Sequence, residues 1–234
     1  MRVLRVLLTL GAAFAIVAGV AFGGIYLMKR FGAVEQTLAG LKAMPLIGLV
    51  VTDVPGAEAR LRASIEQEIA SPTPSGPPRP QLVLGQLRRE YITPALRAAD
   101  DASIIVAMAA RAELVAHLQK TNIPVCFEFA TIGIQRVDKL DEEGQKLFRN
   151  VLAAVEAAYR NGRAGGKPLP MPTRPEFAEL LREAGLQKID FDRLDSFATL
   201  SPEIACETQL KIEQVPPRLP APKRGPYSRY VLGN

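Results

Sequence analysis

Histidine, cysteine and tryptophan are nearly missing from this 234-residue chain, which has one His, two Cys and no Trp. Zinc sites built from four cysteines, or from two Cys with two His, are therefore excluded by counting, and so is a dense disulfide framework. No Asp or Glu precedes Glu35, so the first 34 positions carry no negative side chain. Among the seven serines none begins Ser-x-x-Lys and none is centred in Gly-x-Ser-x-Gly. The signatures of the common serine nucleophiles are thus absent. There is no Cys-x-x-Cys, which argues against a redox-active pair.

What is present is an ordinary globular composition, 48% hydrophobic and 23% charged, which excludes wholesale disorder. The net charge of +5 invites a nucleic-acid reading. Its location removes that reading. Arg2, Arg5, Lys29 and Arg30 supply four of the 29 bases, so residues 31 to 234 hold 25 basic against 24 acidic groups. No nucleic acid is expected as a partner.

From Val6 to Met28 there are 23 consecutive residues without a charge. At about 1.5 Å per residue, a helix of that length spans a hydrocarbon core of about 30 Å. Arg2 and Arg5 also form a basic leader, and Ala13-Phe14-Ala15 or Gly19-Val20-Ala21 would suit signal cleavage. The apolar run continues past both and stops at Lys29-Arg30, which favours an uncleaved anchor over residues 1–30 in contact with the lipid bilayer. Lys/Arg counts at its two ends are close to balanced, so the short basic leader decides the orientation: amino terminus in the cytosol, domain outside. The expected location is a cell membrane of the bacterial inner-membrane type, with the domain in the periplasm. Gly11, Ala15, Gly19 and Gly23 recur every four residues and offer one smooth stripe for helix packing in the membrane. Nine of the 23 residues are Gly or Ala, so composition alone can produce such a stripe.

Residues 31–70 read as a membrane-proximal helical segment, with an apolar run Leu46 to Val51 and a helix from Ala57 to Ala70 capped by Asp53 with Pro55 in its first turn. Residues 71–80 hold five prolines and read as an extended linker. Residues 81–215 read as a helical domain. Ile104, Ile105, Met108, Ala112, Val115 and Leu118 fall at the spacing of one buried helix face, and Leu147, Phe148, Val151, Leu152, Val155 and Tyr159 repeat it. Asp141 can cap the second of these, followed by Glu142 and Glu143, with Asn161-Gly162 as a stop. Thr173-Arg174-Pro175-Glu176 is a capping box, and Ser201-Pro202-Glu203 opens another helix. Only Val125 to Phe129 has an alternating character. The expected fold is all-α: one transmembrane helix followed by a compact bundle of about five helices. Residues 216–234 read as a basic, Pro-rich tail, flexible or lying on an anionic surface, with Tyr227, Tyr230 and Val231 able to fold back.

Cys126 and Cys206 both have apolar neighbours. In an exported domain they would form a disulfide closing a loop of about 80 residues, worth roughly 4 kcal/mol in the chain-entropy picture. In the cytosol they would be buried thiols.

The remaining motifs carry little chemistry. His117 lies away from the apolar centre of its helix, with Glu113 one turn earlier as a surface partner. Asp190, Asp192 and Asp195 fail as a calcium loop, because the sixth position lacks Gly and the twelfth lacks Glu. Asp190 reads instead as a helix cap, and Asp138, Asp141, Glu142 and Glu143 as a helix start. Gly162 to Gly166 lacks the Gly-Lys-Ser/Thr ending of a phosphate loop. Glu128 sits in the most apolar setting of any carboxylate, either perturbed and functional or polar and outward. No catalytic, cofactor or metal residues are assigned. The chain is expected to be an anchored envelope protein whose helical domain binds or scaffolds other membrane or envelope proteins. The alternative is an anchored hydrolase, or a small-ligand or lipid-binding module, with a site near Glu128.

Overall fold

A computed structural model describes residues 32–131, 133–134 and 137–233. The expected anchor over residues 1–30, with Gly11, Ala15, Gly19 and Gly23, lies outside the described residues. Among those described, all regular structure is helical, and no single helix is long and apolar enough to cross a membrane. The chain divides into two compact units between Ile92 and Thr93.

The first unit contains α1 (Ala33–Lys42), α2 (Pro45–Asp53), α3 (Ala57–Ala70), α4 (Arg79–Leu87) and a π-helical turn, Arg88–Ile92. The apolar run Leu46 to Val51 forms most of α2, which Pro45 opens because a first-turn proline gives up no helical hydrogen bond. Asp53 ends α2 and does not cap α3. The cap position of α3 falls to Gly56, at φ 80°, a left-handed conformation that suits glycine. Leu38, Leu41, Leu46, Val50, Val51, Val54, Leu61 and Ile65 are all buried.

The Pro-rich stretch expected as an extended linker is a loop inside this unit, for α3 and α4 on either side of it pack against each other. Glu68 holds the loop. Its carboxylate accepts from the Thr73 N–H (2.7 Å), the Thr73 hydroxyl (2.7 Å) and the Arg79 N–H (3.1 Å). Pro78 occupies the position before α4 without a side-chain cap and Pro80 lies in its first turn, so the last prolines of the run start a helix.

The second unit contains α5 (Thr93–Ala98), α6 (Asp101–Thr121), α7 (Ile123–Thr131), α8 (Glu142–Gly165), α9 (Arg174–Glu183), α10 (Lys188–Asp195), α11 (Pro202–Glu213) and α12 (Ala221–Leu232). This is an all-α bundle with more, shorter helices than the five expected, because the turn-rich stretches around them also form helices. Val125 to Phe129, the one alternating segment, is inside α7. The long helix α6 is central and packs against α7, α8, α11 and α12. Its buried side is one stripe, rotated from the expected one: Ile104, Met108, Val115 and Leu118 are buried as expected, Ala107, Arg111 and Leu114 join them, and Ile105 and Ala112 are only half-buried. On α8, Phe148, Val151, Val155 and Tyr159 are buried and Leu147 and Leu152 flank them half-exposed.

Three of the expected caps form, at Asp141, Thr173 and Ser201. Asp100 and Asp141 accept the N–H of Ser103 (2.7 Å) and Gly144 (2.8 Å). Thr173 and Glu176 form the expected capping box, and the Ser201 hydroxyl accepts from Ile204 (3.4 Å). α8 does not stop at Asn161-Gly162 but runs on to Gly165, and Gly166 ends it at φ 72°. Gly162 instead makes room for a neighbouring helix, since α5 crosses so closely that a Cβ there would overlap the Ala95 carbonyl.

The tail is the largest departure from expectation. Residues 221–232 form α12, in which Tyr227 to Leu232 are all buried. The Phe177 ring of α9 stacks on Tyr227 and Tyr230, with centroids 5.1 and 4.2 Å apart. Three of its bases are engaged inside the unit. Arg229 donates to Asp101 Oδ1 (2.6 Å) and to the Ala99 carbonyl (3.0 Å), Lys223 pairs with Glu183 (2.6 Å), and Arg224 donates to the Leu219 carbonyl (2.8 Å). Aromatic burial, which the local charge and proline content obscure, outweighs the disorder those features suggest.

Candidate functional site

The most unusual chemistry lies where α6, α7 and α11 meet. Cys126 is on α7, and Cys206 is on α11, five residues after its Ser201 cap. Both are completely buried, their Cα atoms are 5.7 Å apart, and the sulfurs are at disulfide distance. Along α11, Gln209 and Glu213 follow Cys206 at three and seven residues, the spacing that places side chains on one helix face. Arg111 of α6 faces them. Its Nε and Nη2 donate to Glu213 Oε1 at 2.9 and 2.6 Å, and Gln209 Nε2 donates to the same oxygen at 2.5 Å.

Arg111, Gln209 and Glu213 are each at most 1% exposed, so this is an ion pair removed from water. The Phe129 ring of α7 lies under the guanidinium, 5.0 Å away, where its negative face favours a cation. Glu213 Oε2 and Gln209 Oε1 meet no donor among the described residues. Tyr227 of α12 completes the surroundings. Its hydroxyl donates to the Ile212 carbonyl at 3.0 Å, and burial first, then the Glu213 charge, pushes its proton affinity well above the usual phenol range. Sequence reading missed the pair. Arg111 is the only charge between Asp101 and Glu113, and it falls three residues after Met108 and four before Val115, on the buried face. That position was the one local signal, while its partner 102 residues away gave none.

The other candidates do not converge. His117 pairs with Asp141 and not with Glu113: Nε2 lies 2.8 Å from Asp141 Oδ1. This contact first, and the Gly144 N–H second, hold the Asp141 carboxyl below the usual range. Glu128 lies 3.9 Å from Lys139, with its side chain 16% exposed. Asp190 is not the cap of α10 but its third residue. It closes a capping box with Gln187 and pairs with Lys211 (2.8 Å). Burial pushes its carboxyl up, but the Lys211 ammonium and the Gln187 N–H pull it further down, to a net position below the usual range. Asp192 pairs with Lys188 (2.7 Å), and Asp195 ends the helix. Among the described residues no three His, Cys, Asp or Glu side chains are grouped to hold a metal ion.

The fold and site together define an all-α domain with a buried cysteine pair beside a buried ion pair. No protein-family description, curated protein or solved structure matches the chain.

Proposed function

We propose that the chain is a single-pass membrane protein with a cytosolic amino terminus, whose helical domain lies in an oxidising compartment outside the cytosol and binds or scaffolds other envelope proteins. The observation that carries the reading is the buried meeting of Cys126 and Cys206. An oxidising compartment converts such a pair into a bond, and persistent structural disulfides are rare in the cytosol. The uncharged run Val6 to Met28 supplies the means of export and anchoring. The accessory role is supported by the candidate side chains His117, Asp190 and Asp192, which are engaged in ion pairs with Asp141, Lys211 and Lys188 and do not converge on one site.

Two experiments test this. A carboxyl-terminal fusion to a phosphatase that folds only after export is expected to be active, and an inactive, stably expressed fusion would refute the orientation. Cross-linking in membranes before solubilisation is expected to capture a membrane or envelope protein in fixed proportion. A monodisperse monomer in detergent that carries no partner would count against the scaffold role.

A further inference from the structure

We propose that the Cys126–Cys206 bond is a redox latch on the Arg111–Glu213 pair: it holds α11 where both charges stay out of water, and breaking it releases α11 while α6 and α8 remain packed. Three links join the helices here. The sulfurs tie α7 to α11, the ion pair ties α6 to α11, and the Phe129 ring ties α7 to Arg111. Only the first is covalent.

The ion pair is a poor fastener by itself. Desolvating both charges is repaid only if geometry is held and the remaining polar atoms are satisfied. Here Glu213 Oε2 and Gln209 Oε1 have no donor among the described residues, so outward movement of α11 would restore water to both oxygens and to both charges. The bond opposes that gain by restricting how far α11 can depart. No comparable drive acts on α8, whose buried side is Gly144, Phe148, Val151, Val155, Ala158, Tyr159 and Gly162, without a charge. α12 stays with α6, on which it packs and to whose Asp101 its Arg229 donates, and gives up only the Tyr227 bond to the Ile212 carbonyl.

Release is an ordinary thiol–disulfide exchange. A dithiol gives two electrons and two protons, the S–S bond becomes two thiols, and the dithiol closes to its own disulfide. Because both sulfurs are fully buried, exchange waits for a local opening. The inference depends on the bond and not on the anchor, so failure of the topology reading leaves it testable on purified protein.

The test is amide hydrogen exchange on the full chain in detergent, comparing the oxidised protein with C126A/C206A. Exchange over residues 202–213 is expected to rise on the order of a hundredfold, while 101–121, 142–165 and 221–232 stay within about threefold. Unchanged protection everywhere, or loss of protection in all four segments together, would overturn the proposal. If C126A/C206A does not fold, dithiothreitol-reduced wild type is read the same way, and its global unfolding is also a refutation. Adding R111M/E213L to C126A/C206A removes the drive for opening and is expected to return protection over 202–213 to within about tenfold of the oxidised protein. Persistent opening of that quadruple variant would show that the ion pair plays no part.

Discussion

Gly162→Ala should destabilise the second unit although it improves helix propensity. A Cβ at this position would overlap the Ala95 carbonyl oxygen and lie 2.7 Å from the Ala95 carbonyl carbon and 2.9 Å from the Ala99 nitrogen. All are backbone atoms, so no side chain can rotate away, and α5 and α8 must separate. Overpacking of this kind costs about 1–3 kcal/mol, while replacing a helical glycine by alanine returns about 0.8–1 kcal/mol. Because the overlapped atoms are backbone, the cost lies in the upper half of that range and the clash wins by about 1–2 kcal/mol; with Tm moving about 2–4 °C per kcal/mol in a domain of this size the variant should melt roughly 2–8 °C lower. Gly165→Ala is the control on the same helix. Its nearest neighbour is the Ala98 oxygen at 3.5 Å, an ordinary contact, so propensity alone acts and Tm should hold or rise. Thermal unfolding followed by far-ultraviolet circular dichroism reads both. If Gly162→Ala raised Tm as Gly165→Ala does, the close crossing of α5 and α8 would be wrong.

Arg111→Met leaves Glu213 buried without its cation and should cost about 3–5 kcal/mol in denaturant unfolding, whereas R111M/E213L should recover most of that loss; equal losses would contradict a desolvated pair. Glu68 should make the first unit acid-sensitive. Burial pushes its carboxyl up, but the Thr73 N–H and hydroxyl and the Arg79 contacts outweigh it and bring the pKa from 4.5 to about 2. Because the folded value is the lower one, this stabilisation is complete above pH 4.5 and is lost as pH falls toward 2. Glu68→Gln should remove that part of the pH dependence in acid titrations of stability, and an unchanged slope would show that Glu68 does not hold the loop. Asp141→Ala removes both the cap of α8 and the His117 contact, with an expected loss of about 1 kcal/mol. Asp141→Asn keeps an acceptor for Gly144 and should restore most of it, so two variants of equal stability would refute the capping role.

Local signals in the sequence were the readable ones. Asp141, Thr173 with Glu176, and Ser201 start helices where their side chains predict, because capping is settled within a single turn. The buried face of α8 was legible for the same reason, while that of α6 was read in part, since Arg111 and Leu114 lie on it and Ile105 and Ala112 do not; the approach of Cys126 to Cys206 was legible by count, there being only two cysteines. What escaped depends on distant partners. Nothing near Arg111 announces Glu213, and Pro222, Lys223, Arg224 and Pro226 disguise a helix whose burial is decided by Phe177. The prolines of residues 71–80 suggest extension, and it takes Glu68, before the run, to fold them into a loop.

The most direct test of an exported, disulfide-joined domain is maleimide labelling of Cys126 and Cys206 in intact cells and in detergent-denatured membranes, each with and without reductant. Denatured protein is expected to label only after reduction, which places the domain in an oxidising compartment with its cysteines joined. Labelling of both thiols in denatured membranes without reductant would contradict this, and would place the domain on the cytosolic side with two buried thiols.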